Sequence, residues 1–291
     1  MLIQWYPGHM AKARRMLVEN LKLIDAIVEI VDARAPIATR NPDFDDLFAA
    51  KKRIILLNKS DLADPSTTKA FVRFYKEQGI KALEFVSINS QKKAAAVDLL
   101  QSAVQEEVDR LLQKGVRKTV RFMVVGIPNV GKSTFINRIA GANRAKVGDK
   151  PGVTKGKQWV KVGPYLELMD TPGLLWPKLD DELLARHLAY IGSIKDDIMD
   201  VEQLASLLLQ ELMSACPDAL KARYKMLESG MEPNALLEGV CRSRGFLLSG
   251  GLPDMERGAR IALDEFRAGK IARVTLEAPG YERQSEDGKK T

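Results

Sequence analysis

The sequence predicts an α/β domain, with a mostly parallel sheet and helices on both faces, followed by a C-terminal all-helical domain. Up to about residue 176, short apolar runs that are typical of buried strands alternate with segments of helical periodicity. This alternation favours a parallel sheet that is covered on both faces. Beyond that point only helical periodicity remains. We therefore predict an α/β domain at residues 1–177, a helical domain at 178–279 and a polar, disordered tail at 280–291.

The individual elements follow from the same patterns. The predicted strands are residues 26–31, 53–57, 82–87, 120–125 and 165–169. Residues 32–43 are predicted to form a loop. The helices predicted in the first domain are 4–23, 67–78, 94–112 and 133–139. Those predicted in the second domain are 183–191, 201–216, 220–228, 233–244 and 254–268.

Composition excludes several classes of protein. The chain has 291 residues, enough for roughly two domains, and no apolar stretch approaches the ~20 residues of a membrane span. At the N-terminus the apolar residues precede the basic ones, the reverse of a secretory signal. The two cysteines exclude a disulfide framework. We therefore expect a protein of the reducing cytoplasm that has no membrane partner and is a monomer.

The charge of the chain is concentrated in one stretch. Of a formal net charge of +7, residues 113–161 alone carry +11, with twelve basic residues and one acid. Residues 178–218 carry −6, and residues 221–273 carry +3. Such polarity predicts a basic face, for which a nucleic acid is the natural partner.

A phosphate-binding loop is predicted between the fourth strand and the helix that follows it. The residues from Gly126 to Ser133, GIPNVGKS, match GxxxxGK[ST] at every fixed position. Glycines allow the tight turn that directs backbone N–H groups at phosphates. Lys132 would bridge the β- and γ-phosphates, and the Ser133 hydroxyl would hold Mg²⁺. The residues predicted to surround the phosphates are Asn129, Val130, Gly131, Lys132, Ser133 and Thr134.

Two further elements fit the metal and the γ-phosphate. Asp170, in DTPG, follows its strand 38 residues after Lys132, where a carboxylate can reach the metal through water. Gly173 would offer its N–H to the γ-phosphate. Thr154, in PGVTKG, is the candidate for a second hydroxyl ligand of Mg²⁺ that closes only when the γ-phosphate is present.

The residues that would read the base lie upstream of the phosphate loop. NKSD follows the second strand directly; its Asp61 carboxylate would accept the N1–H and the exocyclic amine of guanine. Asn58 would tie the loop together, and the stem of Lys59 would cover the ring. The turn of Ser87, Ile88 and Asn89 after the third strand would complete the base pocket. Taken alone, NKSD is also compatible with a simple loop or a helix cap.

The motif order is therefore that of common GTPases, cut between the third and fourth elements and rejoined. With WYPGHMAKA, VDARAP and DTPGLLWPK, these motifs make the chain resemble the circularly permuted bacterial GTPases, and most closely the ribosome biogenesis GTPase A family. The resemblance covers nearly the whole chain. It implies a P-loop GTPase fold, hydrolysis of GTP to GDP, a C-terminal RNA-binding domain and work in assembling the large (50S) ribosomal subunit. Nucleotide-dependent rRNA binding and ribosome-stimulated hydrolysis are the corresponding expectations.

The attacking water lacks its usual partner. Many GTPases place Gln directly after DxxG, but this chain has Leu174 there. His9 could orient the water, or it could be a packing residue of its turn. Alternatively, Asn129 could supply a ligand for K⁺, or it could only stabilise the phosphate loop. We therefore predict the catalytic residues to be His9, Lys132, Thr154 and Gly173.

Two other functions remain compatible with these residues. The chain could be a GTP-gated RNA-binding module in which hydrolysis is incidental. It could also be a GTPase that acts on tRNA or in signalling, without the ribosome.

Overall fold

The computed structural model describes residues 8–141, 158–162, 165–176, 179–196 and 199–283, with side chains from Met10 onwards. Six strands form one sheet: β1 Ala26–Asp32, β2 Lys52–Asn58, β3 Lys81–Glu84, β4 Val120–Val125, β5 Gln158–Lys161 and β6 Leu166–Asp170. The order of the strands across the sheet is β3-β2-β1-β4-β6-β5. All neighbours are parallel except β5, which runs antiparallel to β6.

The helices of the sheet domain connect these strands. They are α1 Gly8–Asn20, α2 Asp43–Leu47, α3 Pro65–Glu77, α4 Lys93–Gln113 and α5 Lys132–Ala140. Buried apolar residues of α3 and α4 belong to two separate clusters, as expected when helices cover both faces of a sheet. The strands β1 and β2 are almost completely buried, which explains their unbroken apolar sequences.

The C-terminal part of the described chain is helical, as predicted. Its helices are α6 Glu182–Tyr190, α7 Val201–Ala215, α8 Pro217–Arg223, α9 Pro233–Arg244 and α10 Met255–Arg267. Their buried side chains belong to the same apolar cluster as those of the sheet, and Leu174 and Leu175 are also members of it. The domain boundary near residue 177 stays a prediction.

The sheet order accounts for the rearranged motifs. The phosphate-loop strand β4 lies between β1 and β6, so the base-loop strands β1–β3 extend the sheet on one side and the DTPG strand on the other. Because the strands are parallel, the loops after β1, β2, β4 and β6 meet at one edge, whatever their order in the sequence.

Several predicted elements differ from the observed ones. The edge strand β5 was not predicted, because four residues with one buried side chain, Val160, show too little alternation. Helix α2 lies where the sequence predicts the end of a loop, and a single turn has too short a period to detect. Helix α8 starts at Pro217 and ends at Arg223, before the predicted residues 224–228.

The last described residues pack onto the rest of the molecule. The Tyr281 hydroxyl donates a hydrogen bond of 2.9 Å to Asp181, and the Arg283 guanidinium contacts the carbonyls of Ile37 and Arg40. The first residues of the predicted tail therefore have defined contacts, and residues 284–291 lie outside the described part. None of the described helices is long and apolar enough to cross a membrane.

Candidate nucleotide site

The phosphate loop connects the end of β4 to the first turn of α5. Its backbone enters the left-handed region at Asn129 (φ 64°) and Gly131 (φ 95°). Gly126 is required by close approach, since a Cβ there would lie 2.5 Å from the Ile30 carbonyl oxygen. The predicted phosphate residues thus form a tight turn at the N-terminus of a nine-residue helix, where backbone N–H groups favour an anion.

Lys132 is buried at the start of α5. Its Nζ donates a hydrogen bond of 2.7 Å to the carbonyl oxygen of Ile127 within the same loop. Burial lowers the pKa of the Lys132 ammonium to about 8, and the Asp170 carboxylate opposes only part of that effect. A phosphate bound in this loop would stabilise the charged ammonium and raise this pKa again.

The two predicted metal-site residues that the structure describes are adjacent. The Ser133 hydroxyl donates a hydrogen bond of 2.7 Å to Oδ2 of Asp170. The other oxygen, Oδ1, is buried and has no hydrogen-bond partner among the described residues. Burial raises the pKa of the Asp170 carboxyl, although the Ser133 hydrogen bond and the charge of Lys132 both act to lower it. A hydroxyl and a carboxylate with an unpaired oxygen fit a hard cation such as Mg²⁺. Thr154 lies outside the described residues.

Asn58 ties three loops together. Its Nδ2 donates a hydrogen bond of 2.7 Å to the Val130 carbonyl of the phosphate loop. Its Oδ1 accepts from the Ser87 backbone N–H at 3.0 Å and from the Ser87 hydroxyl at 2.8 Å. A Cβ at Gly131 would lie 2.4 Å from the same Nδ2, so the close approach requires glycine. The sequence predicted this tethering role but not its partners.

Lys59 lies between the base loop and the phosphate loop. Its Nζ donates to the Asn129 carbonyl at 2.8 Å and forms an ion pair of 3.0 Å with Asp32. Asp32, which the sequence analysis did not select, ends β1 and also holds Arg34 in a bidentate pair. Burial would raise the pKa of the Asp32 carboxyl, but the Arg34 and Lys59 cations outweigh it and keep this pKa far below its usual range.

Asp61, the last residue of NKSD, is half-buried. Its carboxylate makes no hydrogen bond to any residue in the described ranges, so its oxygens can accept from a base. Arg138, which the sequence did not single out, holds the neighbouring turn by donating to the carbonyls of Ser87 and Ile88. Asn89 follows in that turn, and its Oδ1 accepts from the Gln91 N–H at 3.1 Å.

The DTPG segment runs alongside the phosphate loop. A Cβ at Gly173 would lie 2.6 Å from the Pro128 nitrogen, so only glycine fits there. The next N–H, of Leu174, donates to the Gly126 carbonyl at 3.2 Å. The side chains of Leu174 and Leu175 are both buried. Neither can orient a water, as the sequence predicted.

The helical region contacts the phosphate loop directly, through the two residues Gly192 and Ser193. The Asn129 side-chain amide donates to the Gly192 carbonyl at 2.7 Å, and the Ser193 hydroxyl donates to the Pro128 carbonyl at 3.0 Å. These contacts join the phosphate loop to the residues that follow α6; whether Asn129 serves as a K⁺ ligand or only stabilises its loop stays a prediction. His9 lies at the start of α1, but its side chain is outside the described part.

The arrangement as a whole fits a guanosine phosphate with Mg²⁺. Loops after β2 and β3 offer acceptors and backbone groups to a base. Loops after β4 and β6 offer N–H groups, an ammonium, a hydroxyl and a carboxylate to phosphates and metal. Asn58 and Lys59 hold the two halves together.

Comparison with known proteins agrees with this geometry. The family described as 50S ribosome-binding GTPase matches residues 121–221. The chain is 46% identical to Ribosome biogenesis GTPase A of Priestia megaterium, over 98% of this chain and 99% of that protein. It is 44% identical to the Bacillus cereus protein of the same name, over 96% and 95%.

A solved structure extends the likeness to the fold. The crystal structure of GNP-bound YlqF from T. maritima is 31% identical, with a TM-score of 0.67, and the match covers 92% of this chain and 99% of that one. The similarity therefore spans nearly the full length of both chains, in sequence and in structure. The chain is a GTPase of the ribosome biogenesis GTPase A family, with the order of its nucleotide-binding motifs circularly permuted.

Proposed function

We propose that this GTPase is a cytoplasmic assembly factor for the large ribosomal subunit, which it binds through rRNA in a nucleotide-dependent way. Binding to the subunit stimulates its hydrolysis of GTP. The observation that carries the proposal is the direct contact between the phosphate loop and the helical domain, at Asn129–Gly192 and Ser193–Pro128. A change in the phosphate loop can reach the helices through these two hydrogen bonds.

Each residue of the site has a separate role toward the phosphates, the metal or the base. Lys132 leaves the Ile127 carbonyl to bridge the β- and γ-phosphates, and the Gly173 N–H donates to the γ-phosphate. Ser133 would hold Mg²⁺ directly and Asp170 would reach it through water, with Thr154 as the second hydroxyl ligand. When bound, Mg²⁺ neutralises charge that develops on the phosphates. Asp61 accepts the N1–H and the amine of guanine, and the Ser87, Ile88 and Asn89 turn supports the base.

The water is oriented by His9 rather than by a residue after DTPG. The buried side chains of Leu174 and Leu175 support an external group. If His9 is only a packing residue, K⁺ held beside Asn129 is the alternative source of positive charge.

The RNA partner is supported by charge and by similarity. Residues 113–161 carry a net charge of +11, and phosphate contacts from Lys and Arg would make the affinity salt-sensitive. The family that matches residues 121–221 is described as 50S ribosome-binding. The GTP-bound form of the protein binds the subunit, and hydrolysis of GTP releases the protein from it.

Sedimentation with purified large subunits tests the proposal. The chain should pellet with them in the presence of a non-hydrolysable GTP analogue, less so with GDP, and less as salt rises. GTP turnover should rise strongly when large subunits are added. Nucleotide-dependent binding without a rise in turnover would favour a GTP-gated RNA-binding module. Binding to tRNA but not to subunits would favour a GTPase that acts elsewhere.

A further inference from the structure

The segment after the last helix, residues 269–275, lies against the base loop. Gly269 (φ 67°) follows α10, and a Cβ there would lie 2.7 Å from the Leu62 side chain. The segment then runs along residues 60–64. It contains no GTPase motif, and the predicted nucleotide-site residues all lie outside it.

Its hydrogen bonds converge on the backbone around Asp61. Nη2 of Arg273 donates to the Ser60 carbonyl at 3.0 Å, and the Val274 N–H donates to the Leu62 carbonyl at 3.2 Å. The carbonyls on both sides of Asp61 are therefore held from outside the loop. Nε of Arg273 also donates to the Ala63 carbonyl at 3.2 Å.

Thr275 extends these contacts to Ala33, the residue that follows β1. The Thr275 hydroxyl accepts from the Asp64 N–H at 3.2 Å and donates to the Ala33 carbonyl at 3.1 Å. On the opposite side the loop is held within its own domain, where the Ser60 N–H and hydroxyl both donate to the Phe85 carbonyl. The peptide groups that carry Asp61 are thus set by two attachments, and residues 273–275 provide one of them.

We propose that Arg273 is a positioning residue for guanine recognition: through the Ser60 and Ala63 carbonyls it sets the direction of the Asp61 carboxylate. The inference rests on the proposed role of Asp61. A carboxylate that must meet two donors of one ring tolerates little displacement, since both hydrogen bonds depend on direction. Because Arg273 donates to backbone carbonyls of the base loop, its effect should fall on affinity and base choice and not on the chemical step.

Titration with GDP and IDP tests this role, because inosine lacks the exocyclic amine of guanine. Arg273→Ala should weaken the binding of GDP about fivefold and the binding of IDP less than about twofold. This is the size of effect expected for loss of charge-assisted hydrogen bonds at a partly exposed site. The rate constant at saturating GTP should not change. Arg273→Lys keeps the charge but donates from one nitrogen instead of the two that Arg273 uses, and it should give an intermediate GDP affinity.

Controls separate positioning from general damage. Arg260→Ala, on α10 beside Glu256, should leave both affinities unchanged. Thr275→Val removes the Asp64 and Ala33 contacts without changing volume and should weaken GDP in the same direction. Equal losses for GDP and IDP, or no loss with either variant, would overturn the assignment of Arg273.

The Asp61→Asn and Arg273→Ala variants together distinguish a wrong role for Arg273 from a wrong assignment of the base loop. If Asp61→Asn shifts preference to XDP while Arg273→Ala keeps the parent ratio of GDP to IDP affinity, only the positioning role is wrong. If Asp61→Asn leaves base preference unchanged, the base-loop assignment and the role of Arg273 fall together.

Discussion

The side-chain amide of Asn58 donates a hydrogen bond of 2.7 Å to the carbonyl oxygen of Val130, 72 residues away in the sequence. One residue therefore joins the loop proposed to read the base to the loop proposed to hold the phosphates. Because Asn58 also accepts twice from Ser87, the base-support turn belongs to the same assembly. Distortion of any of these loops should affect the binding of the whole nucleotide.

Gly131→Ala tests this junction. A Cβ would lie 2.4 Å from Nδ2 of Asn58, at a backbone φ of 95° that other residues rarely adopt. We expect GDP and GTP to bind at least about tenfold more weakly, since both strain and a broken tether oppose the bound loop. The matched control is Gly115→Ala, which also has positive φ but meets no atom within 4 Å. Equal affinities of the two variants would contradict the tether.

Asp61→Asn should change base preference. The substitution replaces an acceptor by a group that also donates, which suits the additional carbonyl of xanthine. By analogy with bidentate base contacts, worth ~1–3 kcal/mol, GTP affinity should fall at least about tenfold while XTP affinity rises. Competitive titration of GTP and XTP measures both. Unchanged GTP affinity would rule out NKSD as the base loop.

Lys132→Ala should abolish hydrolysis, because the transferring phosphoryl group loses its cation. Ser133→Ala should weaken nucleotide binding mainly in the presence of Mg²⁺, whereas Ser133→Thr keeps the hydroxyl and should bind nearly as the parent does. Turnover and Mg²⁺ titrations of nucleotide affinity are the measurements. Parent-like hydrolysis by both alanine variants would refute the assignment of the phosphate loop.

His9→Ala should lower hydrolysis on large subunits by ~10²-fold while GTP affinity stays nearly intact, as expected for loss of a water-orienting group. The decisive measurement is single-turnover hydrolysis with saturating subunits. A rate within about threefold of the parent would leave His9 a packing residue. Faster hydrolysis in K⁺ than in Na⁺ in that same assay would then support K⁺ as the source of the positive charge.

The buried His187 should make stability depend on pH. Its ring nitrogens lie 3.0 Å from Glu277 and 3.1 Å from Glu211, with the Tyr190 hydroxyl also on Glu211. Burial alone would lower the pKa of His187, but the two carboxylates outweigh it and raise this pKa from 6.5 to about 9. Because the folded state binds the proton more tightly, the stabilisation is complete below about pH 6.5 and is lost as pH rises through about 9.

His187→Gln should remove this dependence. Between pH 6.5 and 9 the free energy of unfolding of the parent should fall by about 2 kcal/mol more than that of the variant, allowing for the partial exposure of Glu211. Urea denaturation at several pH values measures the difference. Parallel pH profiles for the two proteins would show that His187 is not charged in the fold.

Local patterns in the sequence determined the alternating strands and helices, the phosphate loop, NKSD and DTPG, and their permuted order. These features depend on spacing over a few residues: a strand that ends in GIPNVGKS, or an aspartate directly after an apolar run. The position of each motif at the carboxyl end of a parallel strand then predicted that the motifs meet at one edge of the sheet, where the register pairs Asp32 with Asn58 and Val124 with Asp170.

Only the tertiary structure decided which residues hold those motifs in place. Arg273 reaches the Ser60 carbonyl from 213 residues away, Asn129 reaches Gly192 across 63 residues, and Arg138 holds the turn at Ser87. Neither a charge count nor a periodicity distinguishes these side chains from the other arginines and asparagines of the chain. Their partners are backbone carbonyls, which every residue carries, so their roles arise only when packing brings distant segments within hydrogen-bond distance.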